Sequence, residues 1–134
     1  MKTELNIYKN MYHNSAQNCE IARCLFVCSV GMLRSPTAAA VAVKLGFNAR
    51  SCGVDKDALI PLSDRLISWA DVIVFMHPDV YARAVNSIED INLLSMMKDQ
   101  AVIWNFDDDY NYMDEWLQVQ IRSKLVQLSI KGKN

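Results

Sequence analysis

The sequence predicts an α/β protein built on an open four-stranded parallel sheet with helices on both faces. Three observations predict it. Short apolar runs of strand length recur along the chain, helix-forming stretches opened by cap residues stand between them, and 134 residues suit one core. With 51% apolar and 22% charged residues, the chain belongs with globular proteins and not with disordered tails.

Ala22 to Cys28 is a continuous apolar run around Leu25, Phe26 and Val27, and reads as a strand buried on both faces, as parallel strands usually are. Ser35 and Pro36 supply a cap and a favoured first helical residue, the Ala-rich stretch to Leu45 continues the helix, and Gly46 ends it. Asn48 to Cys52 is a second strand, Ser63 to Trp69 a capped helix, and Asp71 to Met76 a third, strongly apolar strand. Pro78 opens another helix. A mixed polar stretch from Asn86 to Gln100 leads to a fourth strand at Ala101 to Trp104, and Tyr112 to Leu128 forms a terminal amphipathic helix. Residues 21–134 form a single domain without repeats or low-complexity linkers, and residues 1–20 precede it as a packed helix or a loose arm.

The formal net charge is −1 with both signs interspersed, so no basic footprint points to nucleic acid or to an anionic membrane. No apolar run is long enough to span a bilayer, and Met1 to Glu20 lacks the hydrophobic region of a secretion signal; the expected location is the cytoplasm. Cysteines stand at 19, 24, 28 and 52 with no Cys-x-x-Cys pair, and the histidines are His13 and His77, so neither zinc nor another metal or cofactor is expected. Cys24 and Cys28 share one strand, where a bridge is geometrically poor, and reduced thiols are the better reading.

The informative segment is Cys28-Ser29-Val30-Gly31-Met32-Leu33-Arg34-Ser35-Pro36, placed between a strand and a helix. In open α/β sheets ligands bind beyond the carboxyl ends of the strands, where a loop entering a helix aims several N–H groups at one spot. Ser29, Val30, Gly31, Met32 and Leu33 are enough to wrap a backbone cradle around a tetrahedral oxyanion. The Cys28 sulfur would lie beneath it, and the Arg34 guanidinium would grip two oxygens. The same N–H dipoles and the Arg34 charge favour a thiolate, comparable sites lowering a cysteine pKa from about 8.5 to roughly 3.5–7.5. Gly31 suits a loop that curls its amides inward. Ser35 has two uses open to it: capping the helix, or donating to the Cys28 sulfur when that sulfur is a leaving group. The plainer reading is a core cysteine with an unrelated surface arginine six residues on. It leaves the coincidence of strand end, glycine and Ser-Pro helix start unexplained.

At these residues the sequence resembles the low-molecular-weight protein tyrosine phosphatases, and more closely the short predicted tyrosine phosphatases related to them. The likeness runs from Arg23 onward. Phe26-Val27-Cys28 leads into the loop, Arg34-Ser35-Pro36-Thr37-Ala38 follows it, and Ala49-Arg50-Ser51-Cys52-Gly53 and Trp69-Ala70-Asp71-Val72-Ile73 are similar to the second and third strands. Asp108-Asp109-Tyr110 with Tyr112-Met113-Asp114 is similar to the acid loop. The resemblance implies a four-stranded parallel sheet and phosphomonoester hydrolysis through a phosphocysteine intermediate, without metal. In two places the sequence departs from the larger family's pattern: Gly31 stands where asparagine is usual, and Leu33 where a second cysteine is frequent, which removes a protective disulfide inside the loop.

Expulsion of an alkoxide or phenolate needs a carboxylic acid above the loop. Asp107, Asp108 and Asp109 follow the fourth strand on the edge that carries Cys28, and crowding of carboxylates helps one of them stay protonated. The match to the family's Asp-Pro-Tyr segment selects Asp108 as the acid. Asp109, Tyr110 and Tyr112 would line the substrate site, the tyrosines stacking on an aryl group. His77 follows the third strand and could face the pocket, although a lone histidine before Pro78 reads more readily as a loop residue. The expected partners are a phosphorylated protein or a small aryl phosphate, with inorganic phosphate or sulfate able to fill the loop. Two alternatives use the same cradle: a non-catalytic phosphoprotein-binding module, and an arsenate reductase, which needs resolving cysteines that do not occur after Cys52.

Overall fold

Strand β1, Arg23–Cys28, carries apolar side chains toward both of its faces and lies at the heart of the structure: Leu25, Phe26 and Val27 are each 0% exposed. The structure, a computed structural model, describes residues 22–30, 34–107 and 110–133. The sequence-based expectations for residues 1–20, Gly31, Met32, Leu33, Asp108 and Asp109 lie outside the described residues.

Helix α1, Arg34–Lys44, follows β1 and buries Ala38, Val41 and Ala42, the i, i+3, i+4 stripe of an amphipathic helix. Gly46, at φ 96°, stands in the left-handed conformation that ends helices and that a side chain would strain. Strand β2, Asn48–Gly53, pairs with β1, and α2, Asp64–Trp69, is capped by Ser63, whose hydroxyl accepts from the Leu66 N–H at 3.3 Å. Strand β3, Val72–Phe75, is buried throughout. Helix α3, Pro78–Ser87, takes His77 as its N-cap with proline in its first turn.

Two expectations change here. Part of the stretch read as mixed polar, Asn86 to Gln100, is helix α4, Ile91–Gln100, capped by Asp90, which accepts from the N–H groups of Asn92 at 2.8 Å and Leu93 at 3.1 Å. The terminal helix α5, Glu115–Lys133, begins three residues later than its apolar pattern suggests, because Met113 holds φ 61° and Asp114 caps, its carboxylate accepting from the Leu117 N–H. Strand β4 is Ala101–Ile103.

All four strands run parallel in the order β2-β1-β3-β4. The chain moves from β1 to the β2 edge and then crosses back to β3. Right-handed crossovers in opposite directions put their helices on opposite faces. One face is covered by α1 and α5, where Phe26, Val74 and Trp104 meet Ala38, Val41, Leu117 and Ile121; the other is covered by α2, α3 and α4, where Leu25, Ile73 and Phe75 meet Ile67, Val80 and Met97. The reversal of direction opens a crevice beyond the carboxyl ends of β1 and β3, the place where such sheets bind ligands.

Candidate active site

Cys28 ends β1 and points to the α1/α5 face, 3% exposed. The backbone just after it is tied to the segment beyond β2: the Val54 N–H donates to the Cys28 carbonyl at 3.0 Å and the Asp55 N–H to the Ser29 carbonyl at 2.8 Å. Glycine is required between them. A Cβ on Gly53 would stand 2.6 Å from the Val30 carbonyl carbon and 2.7 Å from the Ser29 oxygen, inside any allowed contact.

Arg34 opens α1 and is 4% exposed, its charge held by acceptors as burial demands. Nη1 donates to the Phe106 carbonyl at 2.6 Å and Nη2 lies 3.4 Å from the Ser29 hydroxyl. These bonds aim the guanidinium at the carboxyl end of the sheet, on the edge that carries Cys28. Ser35 does not cap α1, which begins at Arg34; its Oγ lies 3.0 Å from Cys28 Sγ and 3.3 Å from the Cys52 carbonyl. Of the two uses open to Ser35, the structure takes the contact with sulfur. Pro36 occupies the first turn, where its missing N–H costs no helical bond.

A cleft of about 250 Å³ opens at this edge, lined among the described residues by Ser29, Arg34, His77, Asp79, Val80 and Asp107. His77 therefore faces the site, and sequence reasoning undervalued it. Its Nδ1 accepts from the Asp79 N–H at 3.1 Å and its Nε2 stands 3.8 Å from an Asp107 carboxylate oxygen. Tyr110 packs against the core on the α1/α5 face with its hydroxyl 3.3 Å from the Gln120 amide, and Tyr112 is exposed; neither lines the cleft. Described residues before and after the expected acid are hydrogen-bonded into the fold. Phe106 donates its N–H to the Met76 carbonyl at 2.8 Å, and the Met113 N–H donates to the Thr37 hydroxyl at 2.8 Å.

The other described thiols are placed away from this chemistry. Burial, and then the Asp71 carboxylate, push the Cys24 thiol up to about 12, and burial followed by the nearby Cys28 pushes Cys52 up to about 12. Cys52 faces the α2/α3/α4 side of the sheet while Cys28 faces the opposite side, and Cys24 stands four residues along the same strand, roughly 13 Å away at the usual strand rise. Neither can bridge Cys28 without rebuilding the sheet. Among the described residues no three His, Cys, Asp or Glu side chains gather as a metal site requires, and no helix is long and apolar enough to cross a membrane. A larger hollow of about 540 Å³ beside α2 and α4 is lined among the described residues by Asp64, Glu89 and Asp90 with neither thiol nor cation, so an oxyanion is disfavoured there.

No protein-family model matches the sequence, and no curated protein does. Solved structures match the fold. The YwlE arginine phosphatase from Geobacillus stearothermophilus gives a TM-score of 0.64 at 18% identity, over 82% of this chain and 92% of that one. The low-molecular-weight protein tyrosine phosphatase from Campylobacter jejuni gives 0.58 at 16% identity, over 81% and 96%. Wzb from Vibrio vulnificus, solved with benzylphosphonate, gives 0.58 at 16% identity, over 85% and 99%. The parallel sheet, its helical layers and these structural neighbours agree: the chain has the fold of the low-molecular-weight protein tyrosine phosphatases.

Proposed function

We propose that this chain is a cytoplasmic cysteine-dependent phosphomonoester hydrolase that acts on phosphotyrosine or another aryl phosphate. The observation that carries the reading is the grouping of three side chains at the switch point: Cys28 Sγ 3.0 Å from Ser35 Oγ, with Arg34 fixed between the Phe106 carbonyl and Ser29.

The chemistry runs in two displacements. The Cys28 thiolate attacks phosphorus in line, an S–P bond forms, and the P–O bond to the leaving group breaks while Asp108 transfers its proton to the departing oxygen. Arg34 and the amides of Ser29 to Leu33 hold the equatorial oxygens. Water then attacks the phosphocysteine, giving up a proton to Asp108, and the S–P bond breaks with the Ser35 hydroxyl donating to the leaving thiolate. Inorganic phosphate is released and Cys28 is regenerated. A phosphorylated protein or a small aryl phosphate is the substrate, and free phosphate or sulfate competes for the cradle.

Turnover of p-nitrophenyl phosphate by the wild type and by Cys28→Ser tests this. The wild type is expected to release p-nitrophenol with phosphate as a competitive inhibitor, and C28S to lose turnover while still binding phosphate. Substantial turnover by C28S refutes the nucleophile, and phosphate binding by an inactive wild type would make the chain a binding module instead. A second reading, hydrolysis of a phosphoguanidine P–N bond, is favoured by the likeness to YwlE and by the Asp79 and Asp107 carboxylates at the cleft, which attract a guanidinium. Phosphoarginine belongs in the same assay.

A further inference from the structure

Helix α5 is apolar on two sides. Leu117, Ile121 and Leu125, each four residues from the next, are buried in the core with Phe26 and Trp104. On the opposite side Trp116, Val119, Ser123 and Val126 alternate three and four residues apart, the a and d spacing of helices that pair. These side chains are open to solvent: Trp116 is 64%, Val119 53% and Val126 42% exposed, and Ser123 is exposed as well. A surface helix normally turns charged and polar residues outward, and a tryptophan within an exposed apolar stripe is the composition of a contact surface.

The residues beside the stripe select its occupant. Glu115 and Arg122, both exposed and seven residues apart, lie along one flank, and Gln120 and Gln127 lie along the other. Among the described residues neither Glu115 nor Arg122 makes an ion pair within its own chain. When two such helices pair antiparallel, like flanks face each other, so Glu115 of each copy meets the partner's Arg122. Parallel pairing sets both charges against glutamines and leaves them unmatched. The same antiparallel register sets each Trp116 between the partner's Val119 and the partner's Ser123, where the small serine leaves room for the indole. The surface is thus complementary to itself in charge and in size. We propose that α5 pairs antiparallel with the α5 of a second copy of this chain about a two-fold axis, with Trp116 and Val119 at the centre and Glu115 and Arg122 closing one flank. The stripe from Trp116 to Val126 is about 15 Å long, which puts the contact at the small end of specific interfaces, below about 1,200 Å² in total. The dimer is therefore expected to dissociate in the micromolar range.

Sedimentation equilibrium of the full chain, from roughly 5 to 500 μM, tests the pairing. The average mass of the wild type is expected to rise from one copy toward two across this range. Val119→Glu sets a charge in the seam and Trp116→Ala removes its largest side chain; both positions face solvent in the single copy, so far-UV circular dichroism is expected to stay unchanged while association weakens about tenfold or more. Glu115→Arg or Arg122→Glu alone sets like charges together on both sides of the two-fold axis and is expected to weaken the dimer about tenfold. The double variant E115R/R122E exchanges the two charges and is expected to return to within about threefold of the wild type. That rescue is specific to pairing of like flanks, because a dimer formed through another face, or a parallel one, has no reason to show it. A wild type that stays a single copy at every concentration overturns the proposal. So does a dimer that V119E and W116A leave intact, a pair of single charge variants as tight as the wild type, or a double variant no better than either single one.

Discussion

Ser35 has one hydroxyl proton and two acceptors in reach, the Cys28 sulfur at 3.0 Å and the Cys52 carbonyl at 3.3 Å. With a protonated thiol the bonds run from S–H to Oγ and from Oγ–H to the carbonyl. With a thiolate the hydroxyl proton turns to the sulfur, where a charge-assisted bond is stronger. In the proposed phosphatase reaction Ser35 therefore acts when sulfur carries charge, above all as it leaves phosphorus. Ser35→Ala is expected to release a burst of p-nitrophenol, accumulate phosphoenzyme visible by intact mass, and lower kcat by about 10²-fold, the scale for one lost preorganised donor; an unchanged kcat without a burst counts against this role. Gly53 supports the same loop by absence of a side chain. Its Cβ would drive into the Val30 and Ser29 backbone at 2.6 and 2.7 Å, so Gly53→Ala is expected to cost about 1–3 kcal/mol by urea unfolding and to weaken phosphate inhibition.

At the scale of elements, caps decide what apolar spacing leaves ambiguous. Helix α4 was hidden in the sequence because Ile91 and Met96 are exposed while Leu93, Leu94 and Met97 pack inward, which blurs the period. Asp90 marks its start, accepting from two N–H groups. Asp90→Ala is expected to lower stability by about 1 kcal/mol in urea titrations and to leave phosphate-ester kinetics unchanged, since the cap is remote from the cleft. Helix α5 differs for the opposite reason: its apolar pattern extends into a segment that the left-handed Met113 and its bond to Thr37 hold out of the helix.

Across the whole molecule, the two faces of one sheet keep different chemistry apart. Cys24 and Cys52 are buried on opposite sides with thiols raised to about 12, whereas in the unfolded chain they ionise near about 8.5. Between those values the unfolded chain releases protons that the native state retains. The stabilisation is complete below about pH 8.5 and is lost as pH climbs toward 12, by about 1.4 kcal/mol per pH unit for each thiol. Cys24→Ala or Cys52→Ala is expected to flatten the alkaline slope of unfolding free energy measured in urea from pH 8 to 10.5, relative to wild type; an unaltered slope means that the thiol is not held protonated. The sequence by itself determined the alternation of strands and helices and singled out Cys28, Arg34 and Ser35 around one strand-to-helix loop, because apolar period, the Cys-to-Arg spacing and the helix-opening Ser-Pro are all local. Only the tertiary structure decided the order β2-β1-β3-β4, and with it the meeting of Arg34 with the Phe106 carbonyl and of His77 with Asp107. A backbone acceptor leaves no mark in the residue types, and partners 30 or 72 positions apart are joined by the way the chain crosses its own sheet, which no local pattern encodes.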